Sequence, residues 1–179
     1  ANNNQTLDIY YNWDSATNFW IGNYKREYTY DANNNQTLDI YYNWDSATNS
    51  WIESSKEEYT YDANNNQTLD INYSWDLATN SWIGYYKREY TYDANNNQTL
   101  DIYYNWDSAT NFWIGNYKRE YTYDANNNQT LTAHYSWDTI SLIWGFVGNS
   151  FGNYELAGLY SQTLGLVDAL NYAYEYDFC

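Results

Sequence analysis

The sequence predicts an all-β fold: an antiparallel meander of β-hairpins with a 31-residue period, ending in an atypical C-terminal capping unit. Three observations predict it. Residues 1–31, 32–62, 63–93 and 94–124 are copies of one unit; the fourth is identical to the first, and the second and third each differ from it at five positions. Within each copy apolar residues alternate with period two, as strands do. The alternating stretches are separated by Asp14-Ser15-Ala16-Thr17-Asn18 and Asp31-Ala32-Asn33-Asn34-Asn35, whose Asn and Asp residues tolerate positive φ and make local side-chain bonds.

Taken in order, the first strand of a unit puts Leu7, Ile9, Tyr11 and Trp13 on one face and Thr6, Asp8, Tyr10 and Asn12 on the other. In the second strand Trp20, Tyr24, Arg26, Tyr28 and Tyr30 share a face, opposite Phe19, Ile21, Asn23, Lys25, Glu27 and Thr29. Setting Trp13 opposite Trp20 leaves Ser15–Asn18 as a four-residue loop and places Asp8 opposite Lys25. The same register pairs Asp39 with Lys56, Asp70 with Lys87 and Asp101 with Lys118. One face then becomes a field of Tyr, Ile, Leu and the packed residues Trp13, Trp20, Trp44, Trp51, Trp75, Trp82, Trp106 and Trp113. The other is polar with scattered Ile and Tyr. Arg26 is expected to stack between Tyr24 and Tyr28, a pairing the second unit loses to Ser55 and Glu57.

The array proper is residues 1–131. A fifth unit starts at 125–131, drifts after Leu131 and keeps Tyr135, Trp137 and Asp138. Residues 132–179 form the divergent capping or assembly unit, since terminal repeats are commonly atypical. Within it Ile140–Val147 reads as a short buried strand. Leu156, Tyr160, Thr163, Val167, Leu170 and Tyr174 fall at helical spacing.

Composition sets the function classes. A net charge of -16 with few aliphatic residues is the signature of disorder, but 25 Tyr and 10 Trp supply the surface for a core. Seven Lys plus Arg against 23 Asp plus Glu exclude nucleic acid as a partner. A single Cys excludes a disulfide framework or cysteine metal cage, and leaves Cys179 as a free thiol or an intermolecular link. The lone His134 has no catalytic partner set, so no enzyme and no cofactor is expected. No apolar run is long enough to span a membrane. With neither an initiator Met nor a signal peptide, the residues read as a mature or excised piece.

A meander has two unpaired edges, and this chain contains no proline to blunt them. Its first strand begins at residue 1 or soon after, which suits end-to-end polymerisation or marks a piece of a longer array. The aromatic face needs a cover: curling, a second sheet, another subunit or the tail.

The junction Tyr28-Thr29-Tyr30-Asp31-Ala32-Asn33-Asn34-Asn35-Gln36-Thr37 resembles the YD repeat of bacterial secreted proteins, and more closely tryptophan-containing YD-type arrays of Bacteroidota. The resemblance covers residues 1–131. It implies a secreted β-array with no chemistry in the repeats. Two departures separate it from toxin-associated arrays: Asn34 replaces the usual turn glycine, and the 31-residue spacing with Trp13 and Trp20 is longer. The closed cage of those toxins is not carried over.

Candidate modification sites follow the repeat. Asn4, Asn35, Asn66, Asn97, Asn128 and Asn72 head N-x-Ser/Thr acceptor motifs. Ser15, Ser46, Ser108 and Thr139 follow an Asp and precede an apolar residue, which resembles the O-glycosylation signal of Bacteroidota. Asp31, Asn33 and Asn35 have the opening of a calcium loop without its Gly or final Glu, leaving only weak binding by an acidic surface.

The function expected is a structural subunit of an extracellular or cell-surface fibre. It is a candidate glycoprotein that self-associates through strand or sheet contacts. The alternative is a cell-surface adhesin or carbohydrate-binding array whose aromatic rows stack on sugars. A weaker third reading is the scaffold or shell portion of a YD-repeat toxin-like protein.

Overall fold

The computed structural model describes residues 3–151, with Phe151 as backbone only. Among the described residues all ten elements are β-strands: β1 (Leu7–Asp14), β2 (Phe19–Tyr30), β3 (Gln36–Asp45), β4 (Ser50–Tyr61), β5 (Gln67–Asp76), β6 (Ser81–Tyr92), β7 (Gln98–Asp107), β8 (Phe112–Tyr123), β9 (Gln129–Asp138) and β10 (Ile143–Phe151). They form one sheet in sequence order, β1 to β10, each hydrogen-bonded to its neighbours. The predicted antiparallel meander is what is observed. Two compact units divide it, Ala1–Glu89 with Tyr103–Ile114, and Tyr90–Ile102 with Gly115 onward. The helical pattern expected at Leu156–Tyr174 lies outside the described residues, as does Cys179.

Turn chemistry fixes the connections. Asn18, Asn49, Asn80 and Asn111 close the four-residue loops with φ of 47–58°, and Asn34, Asn65, Asn96 and Asn127 take φ of 63–71° at the junctions. These are left-handed positions that Asn tolerates better than other side-chain-bearing residues. The fifth hairpin carries Leu142 at the equivalent position, φ 55°.

The register begins as expected, Trp13 opposite Trp20, and then departs from it. Tyr11 faces Gly22 but Tyr10 faces Tyr24, so Asn23 is an extra, bulged residue. The same bulge falls at Ser54, Tyr85 and Val147. A bulge shifts the alternation by one and moves every later side chain to the other face. Asp8 therefore faces Arg26 rather than Lys25, Asp39 faces Glu57 rather than Lys56, and Asp70 faces Arg88 rather than Lys87. The division into one aromatic and one polar face is corrected accordingly. Leu7, Ile9, Tyr11, Trp13 and Trp20 share a face with Lys25 and Glu27, while Tyr10, Tyr24 and Tyr28 share the other with Asp8 and Arg26. Both faces are aromatic and both carry charge. A second irregularity leaves Thr37 extra opposite Thr29 and Tyr30, and the two threonine hydroxyls meet at 2.8 Å.

No conventional core forms among the described residues. The buried apolar side chains are Ile102 and Ala133, and the most buried groups are polar: Asp101 at 3% exposure, Asp39 at 5% and Thr132 at 5%. Stability is instead built from neighbouring half-buried side chains on each face. Ile140–Val147 is not a buried strand. Ile140 is 93% exposed in the turn, and Ile143, Phe146 and Val147 are exposed on β10, the last strand among the described residues.

Candidate functional site

The repeat positions three kinds of side-chain array. The first is a tryptophan ladder. Trp13–Trp20, Trp44–Trp51, Trp75–Trp82 and Trp106–Trp113 meet edge to face across each hairpin, with centroids 4.9–5.3 Å apart. Trp137–Trp144 adds a fifth pair at 5.0 Å. Successive rungs lock through a glycine. A Cβ on Gly22 would stand 2.6 Å from the Trp44 indole, one on Gly84 2.8 Å from Trp106, and one on Gly115 2.7 Å from Trp137. Trp44, Trp106 and Trp137 are also the rings whose Nε1 is buried without a hydrogen-bond partner among the described residues. Each glycine is a seat for the indole of the next hairpin.

The second array combines lysine, glutamate and tyrosine on the same face. Lys25 pairs with Glu27 at 2.8 Å and lies 3.7 Å from the centre of the Tyr42 ring, and the Tyr42 hydroxyl donates to Glu27 at 2.8 Å. Lys56–Glu58–Tyr73, Lys87–Glu89–Tyr104 and Lys118–Glu120–Tyr135 repeat the arrangement. The Lys25 ammonium, then the Tyr42 hydroxyl, hold the Glu27 carboxyl below its usual range. Burial, then Glu27, pushes the Tyr42 phenol up. On the opposite face Arg26 bonds Asp39, with its Nε 3.2 Å from Oδ1, and lies 5.5 Å from the Tyr28 ring. The expected stacking on Tyr28 is present, but the carboxylate is the main partner. Where the second unit has Glu57 instead of arginine, Asp70 is pushed up by burial and then by Glu57.

The third array lies in the turns. Asp31 Oδ1 accepts the Asn33 and Asn35 backbone N–H groups, and Oδ2 accepts Asn35 Nδ2 at 3.0 Å. Asn35 Nδ2 also donates to Asn65 at 2.8 Å. Tyr30 donates to the Gln5 carbonyl at 2.9 Å. The Tyr-Asp pair thus staples the hairpin and folds the junction. The calcium-loop trio is consumed in this turn, and among the described residues no group of His, Cys, Asp or Glu is placed to hold a metal.

The candidate modification sites divide. Ser15, Ser46, Ser108 and Thr139 are exposed at the tips of the hairpin loops. There Asp14 accepts from the Thr17 hydroxyl at 2.6 Å and from the Ala16 N–H, bonds that lower its carboxyl and leave the Ser15 side chain outside the turn bonding. The asparagines are engaged. Nδ2 of Asn66, Asn97 and Asn128 donates to Asp62, Asp93 and Asp124, that of Asn4 to Asn34, and that of Asn72 to Glu57. A sugar on any of these nitrogens would replace one of their donor hydrogens. His134 bonds Ser150 at 3.2 Å.

The bulge and the glycine seat are the features that alternation reasoning missed. A glycine inside a strand signals a bulge or a close approach. Gly22, Gly84 and Gly115 carry that signal, whereas Glu53 does not.

No protein-family model matches the chain, and no curated protein matches it. Among solved structures it is similar to a protein of unknown function from Bacteroides fragilis NCTC 9343, with TM-score 0.51, 17% identity, and coverage of 72% of this chain and 91% of that one. That likeness shows the fold. DUF3836 family proteins from Bacteroides vulgatus ATCC 8482 (TM-score 0.41, 27% identity, 51% and 90% coverage) and Parabacteroides distasonis ATCC 8503 (0.37, 18%, 56% and 97%) are also similar. A TcdB2-TccC3-TEV chain matches at TM-score 0.20 over 9% of its length.

Proposed function

We propose that the chain is a non-enzymatic structural subunit of an extracellular or cell-surface fibre whose copies associate through β-strand or sheet contacts. One observation carries the reading. β1 is an eight-residue strand at one end of the strand order, and its Leu7, Tyr10, Tyr11 and Trp13 are all exposed. Such an edge is a template for adding a further strand. The Tyr-x-Tyr-Asp junction supports kinship with secreted YD-type arrays. Exposed Ser15, Ser46, Ser108 and Thr139 support O-linked glycans at loops, where sugars leave the sheet bonding intact.

Sedimentation and electron microscopy over a concentration series test the proposal. The wild-type chain forms filaments, and Leu7→Lys with Tyr11→Lys abolishes them while circular dichroism stays β. Filaments that survive both lysines would remove β1 as the contact.

A carbohydrate-binding adhesin is the second reading. It is favoured by Trp20, 65% exposed, which with Tyr11 lines a shallow recess. A glycan array comparing wild type with Trp20→Ala separates it from the fibre reading. Hits lost in the variant support the adhesin, and an empty array counts against it.

A further inference from the structure

The repeats differ from one another at few positions, and three of those differences meet at one place. Glu53 and Ser54 replace the glycine and asparagine of the first unit, and Leu77 replaces its loop serine. All three line an open groove of about 540 Å³ with Trp44, Asp45 and Trp75. That volume lies within the range of small-molecule sites.

The groove follows from the ladder. Where residue 22, 84 or 115 is glycine, the next hairpin's indole rests on it and its Nε1 is buried. Residue 53 carries a side chain, so Trp75 cannot sit as Trp44 does over Gly22. Trp75 is correspondingly not among the indoles with a buried, unpartnered nitrogen. The groove lined by Trp44, Glu53 and Trp75 lies at this junction.

The charges in the groove are unequal. Asp45 is committed to its own turn, accepting from the Ala47 N–H at 3.0 Å and the Thr48 hydroxyl at 2.6 Å. The nearby cation Lys56 pairs with Glu58 and lies over the Tyr73 ring. Glu53 has neither a hydrogen bond nor an ion pair among the described residues. It faces Tyr42 across the hairpin and lines the groove with the indoles of its own and the next rung.

We propose that this groove binds an organic cation, a quaternary or protonated ammonium group, between Trp44 and Trp75 with Glu53 as counter-ion. Indole faces attract cations through the ring quadrupole, most strongly where water is partly excluded. A carboxylate in no ion pair supplies the charge complement. The chain's net charge of -16 raises the local concentration of cations over neutral ligands. Leu77 adds an apolar wall for the alkyl groups around the nitrogen. The site is specific to this rung, because the glycines at 22, 84 and 115 seat the next indole and supply no carboxylate.

Choline is the probe, titrated into the full chain by calorimetry and followed at the indole N–H resonances. Its neutral isostere 3,3-dimethyl-1-butanol and two variants, Glu53→Gln and Glu53→Gly, complete the experiment. The glycine variant restores the residue the other repeats carry, so it is expected to fold. Saturable one-to-one binding of choline is expected, with shifts at the Trp44 and Trp75 indoles. Affinity should fall at least tenfold for the isostere and for Glu53→Gln, and binding should vanish in Glu53→Gly. Equal binding of the isostere would make the groove merely apolar. Equal binding of choline to Glu53→Gly would reduce the effect to non-specific attraction to an acidic chain. No binding by wild type overturns the proposal outright.

Discussion

The Trp44 indole lies directly over the α-carbon of Gly22, so close that a methyl group there would stand 2.6 Å from Cδ2. This approach joins the first hairpin to the second, and Gly84–Trp106 and Gly115–Trp137 repeat it. Few apolar side chains are buried among the described residues, and these indole–glycine contacts leave no room for a side chain.

Gly22→Ala and Gly84→Ala should therefore each destabilise the fold by about 1–3 kcal/mol, the usual cost of overpacking a close contact. Gly145→Ala is the control, since its Cβ would meet only the Ser136 carbonyl at 3.9 Å. Urea unfolding should separate the first two from the third. Equal midpoints for all three would show that the indoles do not depend on the glycines.

Acid should weaken the protein. Lys25 and Lys118 lower Glu27 and Glu120 from 4.5, and turn hydrogen bonds lower Asp14, Asp31, Asp45 and their counterparts from 3.8. Carboxyls depressed in the folded state stabilise it above their unfolded values, and that contribution is lost as pH falls through the folded ones. Asp70 is raised and acts in the opposite sense, but it is one group against many. Thermal midpoints should hold down to about pH 5 and decline below about pH 4. A midpoint that rises in that interval would contradict the assignment.

Alkali should weaken it by the converse route. Tyr86 and Tyr104 are pushed up to about 12, chiefly by burial, and Tyr42 and Tyr59 are raised as well. A phenol that resists ionisation when folded stabilises the fold below pH 10, and the contribution is lost as pH rises towards the folded value. Tyrosinate absorbance should show two populations. Exposed phenols titrate near pH 10, and a second group ionises only above it, together with loss of the β signal. A single transition at pH 10 would mean the Tyr–Glu contacts do not persist in solution.

Leu142 occupies the left-handed position that Asn18, Asn49, Asn80 and Asn111 fill in the other loops. Leu142→Asn should stabilise the fifth hairpin by about 1 kcal/mol, read as slower amide exchange across β9 and β10. Unchanged exchange would indicate a different loop conformation.

The strands, the turns and the Trp13–Trp20 register were legible from the repeat, because period-two alternation and Asn–Asp turn chemistry are local signals. The distribution of faces was not. Counting by twos through Gly22-Asn23 carries Tyr24 and Arg26 onto the wrong side, since a bulged residue leaves no trace in polarity. For the same reason strict alternation pairs Lys25 with Asp8, whereas its partners are Glu27 and Tyr42. The role of Glu53 was hidden more deeply. It becomes visible only once the glycine it replaces is known to seat an indole. Tyr30 and Asp31 were recognisable as a junction motif, but their work on Gln5 and Asn35 required coordinates.

Copies of this chain are proposed to assemble through their sheets into a fibre. Diffraction from oriented, concentrated protein tests it most directly. Strand addition at β1 predicts filaments with a meridional repeat of about 4.8 Å, the spacing of hydrogen-bonded strands. A monodisperse monomer at every concentration, giving no oriented pattern, would contradict it.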